Sequence, residues 1–115
     1  MADVHQASEL PHVIDNKAAH RFEAVVDGLV ATLTYRRNPK RLVLVHTEVP
    51  DALAGRGIGS ALVDAAIAAA AEAHLTVVPR CPFARQWLQA HPEAARRVVI
   101  DWPPTDRERS EETPT

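Results

Sequence analysis

The chain has 115 residues, a formal net charge of -2 from 13 basic and 15 acidic residues, and a single cysteine. That length builds one small domain and excludes separate cofactor and substrate domains. The near balance of charge excludes a general nucleic-acid or membrane-surface binder, whose basic residues would be in clear excess.

One cysteine forms no internal disulfide, and the start from Met1 to Gln6 has neither a basic nor an apolar leader region, so a cytoplasmic, reducing location is expected. The longest apolar stretch, Ala65 to Ala71, falls far short of the roughly 20 residues that cross a bilayer.

Residues 1-12 are polar and without periodicity, and read as a flexible N-terminal tail; residues 103-115 are charged and proline-bearing, and read as a disordered C-terminal tail. The domain is expected over 13-102. Phe22 to Val26 and Leu29 to Tyr35 flank Asp27-Gly28, a two-residue turn suited to a β-hairpin. A second turn at Arg37 to Lys40 leads into Leu42 to Val45, an apolar run continuing to Val49. Such a run predicts a central strand covered on both faces.

Gly55-Arg56-Gly57-Ile58-Gly59-Ser60 then precedes an alanine-rich helix, predicted over 60-73, with Ile58, Leu62 and Ile67 on or near one side and Asp64 and Glu72 on another. Leu75 to Pro79 follows as a short strand. Strand, helix and strand make a βαβ unit with parallel strands and a right-handed crossover. The predicted fold class is therefore α/β with a mixed sheet, an antiparallel meander followed by a βαβ unit. Pro82 suits the first position of another helix, to Ala90, with Cys81 at its N-cap. His91-Pro92-Glu93 stops that helix, because proline disfavours helical geometry in the residue before it.

Three groups of residues carry chemistry. The glycines around Arg56 admit a ligand close to the main chain, and the helix that follows offers unpaired N-H groups at its positive end, which is the design of a phosphate cradle. Glycine for loop shape alone is the competing reading. Cys81 lies at the ligand-binding edge of the sheet, where a helix N-terminus and neighbouring Arg80 favour the thiolate. Its alternative is a small buried apolar residue. His46 and Glu48 share one face of the strand end, with Thr47 and Val49 on the other, and either can act as a base for a proton brought to that edge. A strand end emerging into solvent is the plainer account.

His5, His12, His20, His46, His74 and His91 show no paired ligand spacing, so no metal is expected. A P-loop would require lysine after the last glycines, and a dinucleotide fingerprint would open the domain rather than follow a meander.

The meander, the strand end Glu48-Val49-Pro50 and Gly55-Arg56-Gly57-Ile58-Gly59 together resemble the GNAT superfamily of acyl-CoA-dependent N-acetyltransferases over most of the ordered chain. The closest likeness is to very short, YjdJ-like or plant-type minimal acetyltransferases, with His46-Thr47-Glu48-Val49-Pro50 and Pro79-Arg80-Cys81 as the shared motifs. The resemblance implies acetyl-CoA as cosubstrate and an unidentified amine as acceptor. It implies pyrophosphate binding by main-chain donors across Gly55, Arg56, Gly57, Ile58, Gly59 and Ser60, with the pantetheine arm beside Val49 and the thioester near Arg80 and Cys81. Ala54 stands where that superfamily usually carries arginine or glutamine. Transfer is expected directly, with Glu48 or His46 as base, or through a thioester on Cys81. A non-catalytic acyl-CoA-binding module acting through a protein partner, and a divergent nucleotide binder, are the alternatives; no nucleic-acid, membrane or metal partner is expected.

Overall fold

The computed structural model describes residues 11-104. The two predicted tails, apart from Pro11, His12, Pro103 and Pro104, lie outside the described residues. The elements in chain order are β1 (Val13–Asn16), a 3-10 turn (Lys17–Ala19), β2 (Arg21–Val26), β3 (Leu29–Arg37), β4 (Arg41–Glu48), a second 3-10 turn (Asp51–Leu53), α1 (Ile58–Ala73), β5 (Thr76–Pro79), α2 (Pro82–Ala90) and α3 (Pro92–Ala95). They form a mixed sheet in the order β1-β2-β3-β4-β5, antiparallel except for the parallel β4-β5 pair. The α+β class, the meander and the βαβ unit are as expected.

Asp27 and Gly28 take φ values of 53° and 77°, the left-handed pair that a two-residue hairpin turn requires. At the opposite end of the sheet, the Asn38 side-chain oxygen accepts from the N-H groups of Lys40 and Arg41, both at 2.8 Å, closing the β3-β4 turn. Asn38 thus holds the chain as it reverses into β4.

β1 has no counterpart among the expected elements. Its four residues, Val-Ile-Asp-Asn, are too short for a periodicity signal, and pairing with β2 defines the strand. Likewise, Ile100 forms a parallel bridge to Val77, with Val77 N-H donating to Val99 O and Asp101 N-H to Val77 O, each at 2.9 Å. The segment after α3 thus covers the β5 edge. His91-Pro92 does end α2, and the same Pro92 then opens the single turn of α3.

The core lies between one face of the sheet and the helices. Phe22, Leu33, Tyr35, Leu42 and Leu44 meet Leu62, Val63, Ile67 and Leu88 there, and Ala61, Ala66 and Ala70 are buried on α1. Their small side chains bring the α1 backbone near the sheet. β4 is interior but fourth of five, and it is fully buried on one face only; Leu42 and Leu44 are buried, whereas Val43 and Val45 are half-buried. The apolar run was expected to signal cover on both faces. Its β-branched residues are accommodated instead by the half-exposed pleat of an antiparallel neighbour.

Candidate functional site: a groove from the glycine loop to Thr47 and Cys81

A break in register shapes the end of β4. Thr34 pairs with His46 and Tyr35 with Leu44, so Val45 has no partner on β3 and forms a bulge. The extra residue inverts the alternation beyond it. Strict period-two geometry would put His46 and Glu48 on the buried face with Leu42 and Leu44; the bulge places Thr47 opposite buried Leu33 instead. His46 and Glu48 pair with Thr34 and Thr32 and are exposed.

On its other side, β4 pairs with β5 only as far as Leu44 and Pro79. Leu44 O accepts from both Arg80 N-H and Cys81 N-H, at 3.0 and 2.9 Å, and this shared acceptor ends the parallel ladder. β4 continues to Glu48 while the chain after Pro79 turns into α2. The strands therefore part beside Thr47.

Cys81 is at that parting, 2% exposed, as the N-cap of α2. Its Sγ and Thr47 Oγ1 share a hydrogen bond of 3.0 Å. A cavity of about 400 Å³ runs past this pair and is lined by Thr47, Val49, Leu53, Ala54, Gly55, Gly57, Ile58, Gly59, Ser60 and Phe83. Cys81 itself is hydrogen-bonded to Thr47 but is not part of that lining.

The far end of the cavity is the start of α1. Gly55 and Gly57 adopt φ of 79° and 78°, and a β-carbon at either would meet no atom within 4 Å. Glycine is needed at both for backbone conformation, which other residues adopt only under strain. Gly57 is the N-cap and brings no side chain to the helix end; Ala61 N-H makes the first helical bond, to Gly57 O at 3.1 Å. The preceding N-H groups of Ile58, Gly59 and Ser60 have no intrahelical acceptor, so the positive end of the helix, with unpaired donors, lies at the groove.

α1 begins at Ile58, two residues before the expected start at Ser60. Gly59 differs from the other two glycines. Its φ is not positive, and a β-carbon there would lie 2.7 and 2.9 Å from Cζ and Cε2 of Phe83.

Apart from Cys81, which meets Thr47, the predicted site residues thus fall into two sets. Val49, Gly55, Gly57, Ile58, Gly59 and Ser60 line one cavity. Arg56, Arg80, His46 and Glu48 do not line it: Arg56 Nη1 donates to Asp27 Oδ2 at 2.9 Å, Arg80 is exposed after β5, and His46 and Glu48 occupy the exposed face of β4. Thr47, Leu53 and Phe83 were not singled out by sequence reasoning. The motif around Thr47 carried a signal, but its direction depends on the bulge.

Among the described residues no group of three or more His, Cys, Asp or Glu side chains is placed to hold a metal ion, and no helix is long and apolar enough to cross a membrane. A family model described as GCN5-related N-acetyl-transferase matches residues 21–98, from the start of β2 to beyond α3. The matched span contains the bulged strand, the glycine loop, the helix terminus and Cys81 together, and the chain belongs to the GCN5-related N-acetyltransferase family.

Proposed function

We propose that this chain transfers the acetyl group of acetyl-CoA to an amine, and that the groove between α1 and the parted end of β4 is the cosubstrate site. The observation carrying this reading is the continuity of one cavity from the open N-terminus of α1 to Thr47, whose hydroxyl meets the Cys81 thiol. The donor chemistry fits CoA: main-chain N-H groups at Ile58 to Ser60 suit a pyrophosphate, and the side chains of Val49, Leu53 and Ile58 suit an uncharged arm. Each charge-assisted hydrogen bond of good geometry contributes on the order of 1.5 to 3 kcal/mol. Ala54 supplies no cationic group, which leaves binding to the main chain and to Arg56 once it exchanges Asp27 for phosphate.

Acetyl-CoA supplies an activated thioester. Direct transfer is the route we favour over acetylation of Cys81, because the thiol is 2% exposed and does not line the cavity. In that route the amine nitrogen bonds the acetyl carbon, the thioester C–S bond breaks, and Thr47, hydrogen-bonded to Cys81, donates a proton to the departing CoA sulfur. His46 and Glu48 are the side chains available to accept the proton lost by an amine approaching over the exposed face of β4. The short, YjdJ-like subgroup rests on the motifs at His46 to Pro50 and Pro79 to Cys81. A cytoplasmic location suits a lone unoxidised cysteine.

The test is thermal stabilisation by acetyl-CoA in the native chain and in Gly57→Asp, together with release of free CoA across a panel of amines. Ligand that binds N and not U raises the melting temperature. The native chain should be stabilised and the variant not, since aspartate adds both a side chain at positive φ and a like charge beside the phosphates. An equal shift in both proteins would refute the loop assignment. Binding without CoA release on every amine would instead identify an acyl-CoA-binding module.

A further inference from the structure

Phe83 is a large apolar side chain left 41% exposed, two residues beyond Cys81 in the first turn of α2, on the wall of the same groove. Its ring edge crowds the position a β-carbon of residue 59 would take, and the three nearest atoms to that position, at 2.7, 2.9 and 3.5 Å, all belong to Phe83. The three glycines of the loop therefore answer to different constraints. Gly55 and Gly57 are needed for their positive φ, with open space around them, whereas Gly59 leaves the room in which the aromatic ring packs on the first turn of α1.

We infer that Phe83, admitted by Gly59, is the aromatic wall that grips the uncharged arm of the cosubstrate, and that Gly59 acts on binding through Phe83 rather than through the phosphates. This rests on the cosubstrate reading above. The physical argument is one of position and polarity. Charge belongs at the N-H groups of the α1 terminus, and the remainder of the groove wall from there to Thr47 is contributed largely by Val49, Leu53 and Phe83. An arm running along it covers the exposed ring, and an aromatic face offers a large apolar area at little cost in side-chain freedom. The ring already packs against the first turn of α1 at residue 59. A methyl at residue 59 displaces the ring instead of blocking the N-H groups.

Calorimetric titration of the native chain, Phe83→Ala, Gly59→Ala and the double variant distinguishes the roles, using acetyl-CoA and its nucleotide half, adenosine 3′-phosphate 5′-diphosphate. Phe83→Ala should weaken acetyl-CoA about tenfold, the order expected for losing a partly covered aromatic surface, while the nucleotide half binds as before. Gly59→Ala should show the same selective loss, and should add nothing further in the Phe83→Ala background, since coupled residues are non-additive. Melting temperatures measured alongside establish that each variant is folded. Equal weakening of both ligands by Phe83→Ala, no weakening of either, or additive losses in the double variant would overturn the assignment. If the native chain binds neither ligand, the cosubstrate reading itself falls, and this inference with it.

Discussion

Thr47 and Cys81, 34 residues apart in the chain, hold a hydroxyl oxygen and a sulfur 3.0 Å apart where β4 and β5 separate. The contact joins a bulged strand to the N-cap of a helix. If this pair handles the proton at the reacting end, Cys81→Ala should lower kcat by about 10²-fold, the low end of general acid-base contributions, with a smaller change in KM. Thr47→Val, which keeps the side-chain volume and deletes the hydroxyl, should lower kcat in the same direction. Steady-state kinetics checks both, and intact mass after incubation with acetyl-CoA alone should show no acetyl group on Cys81.

His46 and Glu48 are both exposed, on the face of β4 opposite Thr47. Their substitution should therefore leave acetyl-CoA binding intact while affecting turnover. His46→Ala or Glu48→Gln should reduce kcat by tenfold or more, roughly, if that residue is the base, with an unchanged thermal shift by acetyl-CoA. Full turnover in both variants would dismiss them as bases.

Asp27 holds Arg56 by an exposed ion pair across the hairpin tip and the glycine loop. Such pairs contribute about 0 to 1 kcal/mol, so Asp27→Asn, which removes the charge but keeps a residue type that tolerates the positive φ of the turn, should leave the denaturant midpoint nearly unchanged. Acetyl-CoA affinity should rise, because a negative charge beside the phosphates is removed and the guanidinium is released. The gain should shrink as salt is added, which titration at two ionic strengths would reveal.

Tyr35 is the only tyrosine in the chain, so tyrosinate absorbance reports it without ambiguity. Burial, aided by the hydrogen bond that its hydroxyl donates to Asp15 at 2.6 Å, pushes its pKa up to about 12 from 10.0. In the native state the absorbance midpoint should be well above that of a free tyrosine. A raised pKa means that the unfolded chain releases this proton first, so the stabilising contribution is complete below pH 10 and is lost as pH rises towards 12. Asp15→Asn should lower the midpoint, and Tyr35→Phe should remove this component of the alkaline loss of stability.

Much of the molecule is legible from local chemistry. Asp27-Gly28 specifies a hairpin turn, Pro82 opens α2, His91-Pro92 closes it, and the alanine run with its apolar stripe makes α1; each depends on residues close in sequence. The glycines, the strand-end motif and Cys81 also collect at one edge of the sheet, since parallel strands deliver their following loops to the same side. β1 and the Ile100 bridge are less legible because partners far along the chain define them.

Sequence by itself therefore determined the order of elements and the residues that collect at one sheet edge. Tertiary structure decided which of them face each other. The unpaired Val45 turns Thr47 towards the core side and leaves His46 and Glu48 exposed, and alternation read along β4 contains no sign of that reversal. The space beside Gly59 is likewise filled by a ring from another helix, so its need for glycine is a packing constraint between distant segments. Local propensity is set by each residue and its neighbours; register and side-chain proximity are set by what the rest of the chain supplies across the gap.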